Sequence, residues 1–151
     1  MNEAIQDQYP DATAVCYGCG RLNEHGLQIK SYAEGDEYVC VFRPKPYHTA
    51  IDGFVYGGLV ASLIDCHSTG SAAAALAKDR GESAPVRTVT ASLHVDYLTP
   101  TPIEGDLTIR ARAVEVKGRK AVIESSLFAG NVETARGKVV AVAVPADFGL
   151  T

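Results

Sequence analysis

The chain has 151 residues, 46% of them hydrophobic and 21% charged, with a formal net charge of −4. That length suits one domain with a complete core, and a mildly acidic balance without a basic patch excludes the nucleic-acid binders. No apolar run reaches the roughly 20 residues that span a bilayer, and the opening ten lack the apolar stretch of a secretion signal, so a cytoplasmic protein with no membrane partner is expected.

Residues 1–20 read as an irregular segment, with Tyr9-Pro10-Asp11, Gly18 and Gly20 as breakers, at the front of a single domain covering 1–151. Within it, Cys16-Tyr17-Gly18-Cys19 invites a zinc or redox reading. A structural zinc site usually needs two such pairs, or one pair with closely spaced histidines. Only His25 is near and Cys40 and Cys66 form no second pair, so reduced thiols without metal or cofactor are expected. Residues 26–33 and 37–43 read as two strands joined at Glu34-Gly35-Asp36, and Pro44 and Pro46 end their pairing.

A loop over 47–55 leads to a helix starting near Gly57 or Gly58 and ending around Lys78-Asp79-Arg80-Gly81, where cations and a glycine suit a helix C-terminus. Small or apolar residues fill nearly every face of this helix, so other structure must wrap it. Asp65 is the exception. A carboxylate in such surroundings is costly unless hydrogen-bonded or paired, and burial of this kind tunes carboxyls for acid, base or nucleophile work. His67, two residues on, sits about 200° around the helix from Asp65 and reads as a core or interface histidine.

Beyond the helix the period changes to two. Val89, Ala91, Leu93, Val95 and Tyr97 alternate with Thr88, Thr90, Ser92, His94 and Asp96, the pattern of a half-buried strand. Residues 107–116, 121–129 and 133–144 follow as strands, with turns at Gly118-Arg119 and Gly130-Asn131. The apolar phase slips from Ala113 to Val114, which predicts a bulge. Hairpin-linked strands around one helix make an α+β fold: an antiparallel sheet of five to six strands curled around a long central helix.

His48-Thr49-Ala50-Ile51-Asp52-Gly53-Phe54-Val55-Tyr56-Gly57-Gly58 followed by Asp65 resembles the signature of hotdog-fold acyl-CoA thioesterases of the PaaI/THEM type. The opening Cys16-Tyr17-Gly18-Cys19-Gly20-Arg21-Leu22-Asn23 and the strand ending Val95-Asp96-Tyr97-Leu98-Thr99-Pro100 are similar to the family as well. The resemblance implies the hotdog fold, a homodimer often paired into a tetramer, and metal-free hydrolysis of an acyl-CoA at sites between subunits. It assigns Asp65 as nucleophile or general base and the Gly57 N–H as donor to the thioester oxygen. A helix N-terminus suits that second role, because its N–H groups lack intrahelical partners.

The resemblance further implies a hydroxyl from the partner subunit that positions water, matched by Thr90 or, two residues earlier, Thr88. It implies pocket roles for His48 and Gly58, and contact between the coenzyme A phosphates and the hairpin cations Arg119 and Lys120. Two departures stand out: Tyr56 occupies the place of the family's histidine, and Ala50 that of a polar residue. A phenol donates a hydrogen bond well but is a poor base at neutral pH, so Tyr56 is expected to hold the carbonyl. The alternatives are a hotdog protein that binds acyl-CoA without turnover, or an enoyl-CoA hydratase or dehydratase.

Overall fold

The computed structural model describes residues 2–150. Six strands form one antiparallel sheet: β1 (Tyr32–Glu34), β2 (Glu37–Phe42), β3 (Thr88–Tyr97), β4 (Leu107–Lys117), β5 (Lys120–Ala129) and β6 (Val132–Ala143). Their spatial order is β1-β2-β4-β5-β6-β3, and the helix α1 (Gly57–Arg80) lies between β2 and β3 in sequence. This is the hotdog architecture, with the sheet curved around the helix.

The helix is held by its apolar residues. Leu59, Leu63, Ile64 and Leu76 are fully buried against Ile109, Ile123, Leu127 and Val139 of the sheet. Each such side chain contributes about 1.5–3 kcal/mol of transfer free energy. Gly81 ends the helix in the left-handed conformation at φ 68°, its N–H reaching the carbonyls of Ala77 and Lys78.

Buried polar groups on the helix are all satisfied from neighbouring elements. His67 is completely buried: its Nε2 lies 3.1 Å from the Tyr38 carbonyl and its Nδ1 2.8 Å from Ser31 Oγ. A carbonyl only accepts, so Nε2 carries the proton and Nδ1 accepts from the Ser31 hydroxyl. Burial pushes the imidazole down to about 4, so it is neutral.

The first 20 residues are irregular but firmly docked. Two 3₁₀ turns, Ile5–Gln8 and Asp11–Thr13, carry the buried Ile5 and Gln6. Gln6 Oε1 accepts from the Ser31 N–H at 2.7 Å, and its amide nitrogen donates to Ser31 Oγ at 3.0 Å. This explains a correction: the strand expected over 26–33 is only Tyr32–Glu34. Residues 26–31 spend their backbone groups elsewhere, with Leu27 N–H on the Tyr17 carbonyl, Ile29 N–H on Gly18 and Ile5 N–H on the Ser31 carbonyl. Gln28 sits at φ 56°, outside any strand conformation.

The bulge expected in β4 is present at Val114, where the pairing with β5 shifts between Ala113 and Glu115. A second bulge has no counterpart in the sequence reading. In β3 the pairing with β6 jumps from Thr90–Ala141 to Ser92–Val140, leaving Ala91 as the extra residue. One inserted residue reverses which side chains face the helix. Thr88 and Thr90 face it before the bulge, and Val95 and Tyr97 after it. The unbroken alternation of residues 88–97 therefore does not describe one buried face. His94, expected to share a face with Thr90, points away instead and meets Asp96 at 3.1 Å. Nor is β3 half-buried in the single chain: as an edge strand it leaves Val89, Leu93 and Tyr97 exposed.

Candidate active site

Asp65 lies on the α1 face that β3 crosses, and it is half-buried rather than enclosed in the core. The Thr90 hydroxyl donates to Asp65 Oδ1 at 2.7 Å, and Thr69 Oγ1 lies 2.8 Å from Thr90 Oγ1 and 3.5 Å from the carboxylate. Each hydroxyl has one proton, so the shorter contacts define a relay in which Thr69 donates to Thr90 and Thr90 to Asp65. Thr69 sits one helical turn beyond Asp65, the spacing that stacks side chains on one face. The bulge at Ala91 turns Thr90 inward to meet them. Among the described residues, no hydrogen bond reaches Asp65 Oδ2.

These groups line a cavity of about 410 Å³ between the helix, the start of β3 and the N-terminal segment. Tyr9, Val86 and Val89 give it apolar walls, Arg87 a cation and Cys16, Cys19 and Cys66 a sulfur corner. A mostly apolar cleft with one hydrogen-bonded carboxylate is the usual form of a small-molecule site.

A second group gathers at the helix N-terminus. Tyr56 precedes the helix in an extended conformation, and its N–H donates to the His48 carbonyl at 3.0 Å. The Tyr56 ring folds over Gly58, where a Cβ would overlap it unless the exposed ring moved. The Tyr97 hydroxyl donates to the Gly57 carbonyl at 2.7 Å and so ties the end of β3 to the helix start. Among the described residues the N–H groups of Gly57 and Gly58 donate to no backbone carbonyl, which leaves them free for an anion. His48 stacks edge-on against Tyr47 at 4.9 Å and accepts the Lys45 N–H at 3.0 Å. Burial, then the nearby Lys45 charge, holds its imidazole below the ordinary value.

The sheet and helix thus bring Asp65 and Thr90 together, and Tyr56, Gly57, Gly58 and His48 together, but the two groups stand apart. Eight residues separate Gly57 from Asp65, about 12 Å of helical rise. Thr90 was expected to act from a partner subunit, yet its hydroxyl bonds Asp65 of its own chain, because α1 and β3 are packed along each other. Arg119 and Lys120 lie at the β4–β5 hairpin and do not line the Asp65 cavity. Lys120 pairs with Glu115 at 3.3 Å, and the register places it beside Val142, whose other neighbour is Val89.

A model of the Thioesterase superfamily matches residues 52–136, which include the helix N-terminus, Asp65 and Thr90. The chain belongs to this superfamily. It is 48% identical to a Thioesterase superfamily protein from Shewanella loihica PV-4, over 81% of this chain and 96% of that one, with a TM-score of 0.68. The fold is also that of the E. coli PaaI protein, at 14% identity, 79% and 81% coverage and a TM-score of 0.67. Among curated proteins it is 35% identical over 82 residues to the acyl-coenzyme A thioesterase THEM4 of Xenopus laevis, covering 54% of this chain and 33% of that protein. With THEM4 of Rattus norvegicus the identity is 25% over 109 residues, covering 72% and 43%. The match therefore spans less than half the length of these curated relatives.

In this superfamily member, sequence reasoning missed Thr69, Arg87 and Cys66 among the cavity residues. Thr69 was signalled by its four-residue spacing from Asp65, and Arg87 by being the only cation between helix and β3. Cys66 carried no signal, because only folding brings it beside Cys16 and Cys19.

Proposed function

We propose that this chain hydrolyses an acyl-CoA thioester to the free acid and coenzyme A, working as a homodimer. The observation that carries the reading is the carboxylate of Asp65, held by Thr90 at 2.7 Å on the wall of an apolar cavity, its second oxygen without a hydrogen bond among the described residues. Asp65 Oδ2 takes a proton from water as the water oxygen attacks the thioester carbon, or attacks that carbon itself to give a mixed anhydride that water then cleaves to the free acid and the restored carboxylate. The carbonyl oxygen becomes an oxyanion at a helix N-terminus, where the Gly57 N–H donates to it and Tyr56 adds a phenolic donor. Collapse of the adduct expels the coenzyme A thiolate, which takes up a proton as it leaves.

Because Gly57 stands about 12 Å along the helix from Asp65, the two act on one carbonyl only if they come from different subunits. The β3 edge supports such pairing, since it is unpaired on its outer side and lined by the exposed Val89, Leu93, Tyr97 and Leu98. A second pairing to a tetramer follows the resemblance. His48 and Gly58 shape the helix-end part of the site, and Arg119, Lys120 and Arg87 are the cations on offer to the nucleotide phosphates.

Hydrolysis of a panel of acyl-CoA substrates, followed by thiol release, tests the proposal against the Asp65→Asn variant. Asparagine keeps the shape and an acceptor for Thr90 but cannot take a proton. A loss of about 10²–10⁴ in kcat is expected for a missing general base. Equal rates would remove Asp65 from the chemistry. The tyrosine at the histidine position favours a second reading, binding of acyl-CoA without turnover; calorimetric binding with no thiol released would select it.

A further inference from the structure

Three of the four cysteines, which the hydrolysis does not use, form an unexplained cluster. The Sγ atoms of Cys16, Cys19 and Cys66 all lie within 4.8 Å of one another. Two come from the N-terminal loop and one from α1, one residue after Asp65. Four zinc–sulfur bonds of about 2.3 Å in a tetrahedron set neighbouring sulfurs about 3.8 Å apart, so a contraction of at most about 1 Å converts this cluster into a ligand set.

The loop is built to hold that geometry. Gly20 N–H donates to the Cys16 carbonyl at 2.8 Å, closing a tight turn around the pair. Leu22 N–H reaches the Ala14 carbonyl at 2.9 Å, and the Gln28 amide bridges the carbonyls of Gly20 and Asn23 at 2.8 Å each. Two glycines are required by contact: a Cβ at 18 would overlap the Cys66 sulfur, and one at 20 would stand 2.6 Å from the Ala14 oxygen. The loop therefore presses against the third sulfur, as a preformed site needs.

Three thiols this close together are soft donors that suit a thiophilic cation. All three sulfurs line the Asp65 cavity, so the fourth position of a tetrahedral ion would open into it.

We propose that Cys16, Cys19 and Cys66 form a three-thiolate site for one thiophilic divalent cation such as Zn²⁺, whose fourth coordination position faces the Asp65 cavity. The sequence expectation of metal-free thiols turned on the absence of further ligands near the pair, and Cys66 alters that count. The proposal stands apart from the hydrolase reading, because metal binding is read without any substrate.

The test is an anaerobic titration of reduced, chelator-stripped protein with Co²⁺, followed by displacement with Zn²⁺. The expected result is one equivalent per chain, with visible bands of a tetrahedral ion and a sulfur-to-cobalt charge-transfer absorption sized for three thiolates. Cys66→Ser should weaken binding by roughly 100-fold or more, since even groups behind the ligands are worth 10- to 100-fold. His25→Ala, in the same loop, should leave binding unchanged. Wild-type protein that shows no charge-transfer absorption, or absorption sized for only two thiolates, overturns the proposal whatever the variants do. So does Cys66→Ser protein that folds and binds as tightly as wild type.

Discussion

His67 makes the stability of this protein fall with acid in a calculable way. It is fully buried, its Nε2–H is committed to the Tyr38 carbonyl and its Nδ1 accepts from Ser31, so a second proton would bury a charge and force the Ser31 hydroxyl to turn away. Burial lowers the folded imidazole from an ordinary 6.5 to about 4. The sign follows from proton counting. Between those values the unfolded chain binds a proton that the folded chain refuses, so stability is complete above about 6.5 and is lost as the pH falls toward 4. The full difference is about 3 kcal/mol, and about 2 kcal/mol of it disappears between pH 8 and pH 5. Urea midpoints measured across that range give the total slope. A His67→Gln variant isolates this residue, since glutamine offers a donor and an acceptor but does not titrate. The variant should lose about 2 kcal/mol less than wild type over the same interval. Equal losses in both proteins would refute the neutral, buried assignment and the tautomer drawn from it. The consequence reaches the site, because His67 anchors the helix segment that carries Asp65 and Thr69.

Two further outcomes follow from the site. Thr90→Val removes the hydroxyl on Asp65 without changing side-chain shape; at about 1 kcal/mol for the lost hydrogen bond, kcat for acyl-CoA hydrolysis should fall roughly 5- to 10-fold, with Thr90→Ser restoring it. Unchanged kcat in Thr90→Val would mean the relay has no part in the reaction. Leu93→Lys places a charge in the exposed apolar strip of β3; sedimentation should show dimer giving way to monomer, with activity lost in parallel, and an intact dimer would move the interface elsewhere.

Much of the fold was legible locally. The helix from Gly57 to its glycine stop at 81, the three long hairpin strands and the bulge at Val114 all follow from period, turn residues and a visible phase slip. Asp65 stood out for the same reason, as the one charge before the helix reaches Lys78-Asp79-Arg80 at its end. Residues 26–31 did not, because their strand-like pattern is satisfied by the docked N-terminal segment rather than by the sheet.

By itself, then, the sequence determined most helix and strand segments, residues 26–31 apart, and that one carboxylate sits in the apolar body of the central helix. These are properties of neighbouring residues, and short-range sterics and periodicity suffice to specify them. Only the tertiary structure decided that Ala91 bulges out against β6 and turns Thr90 onto Asp65, since the alternation of β3 shows no slip and register depends on the partner strand. It alone decided, too, that Cys66 meets Cys16 and Cys19, because that contact requires the N-terminal loop to pack against a helix formed from distant residues.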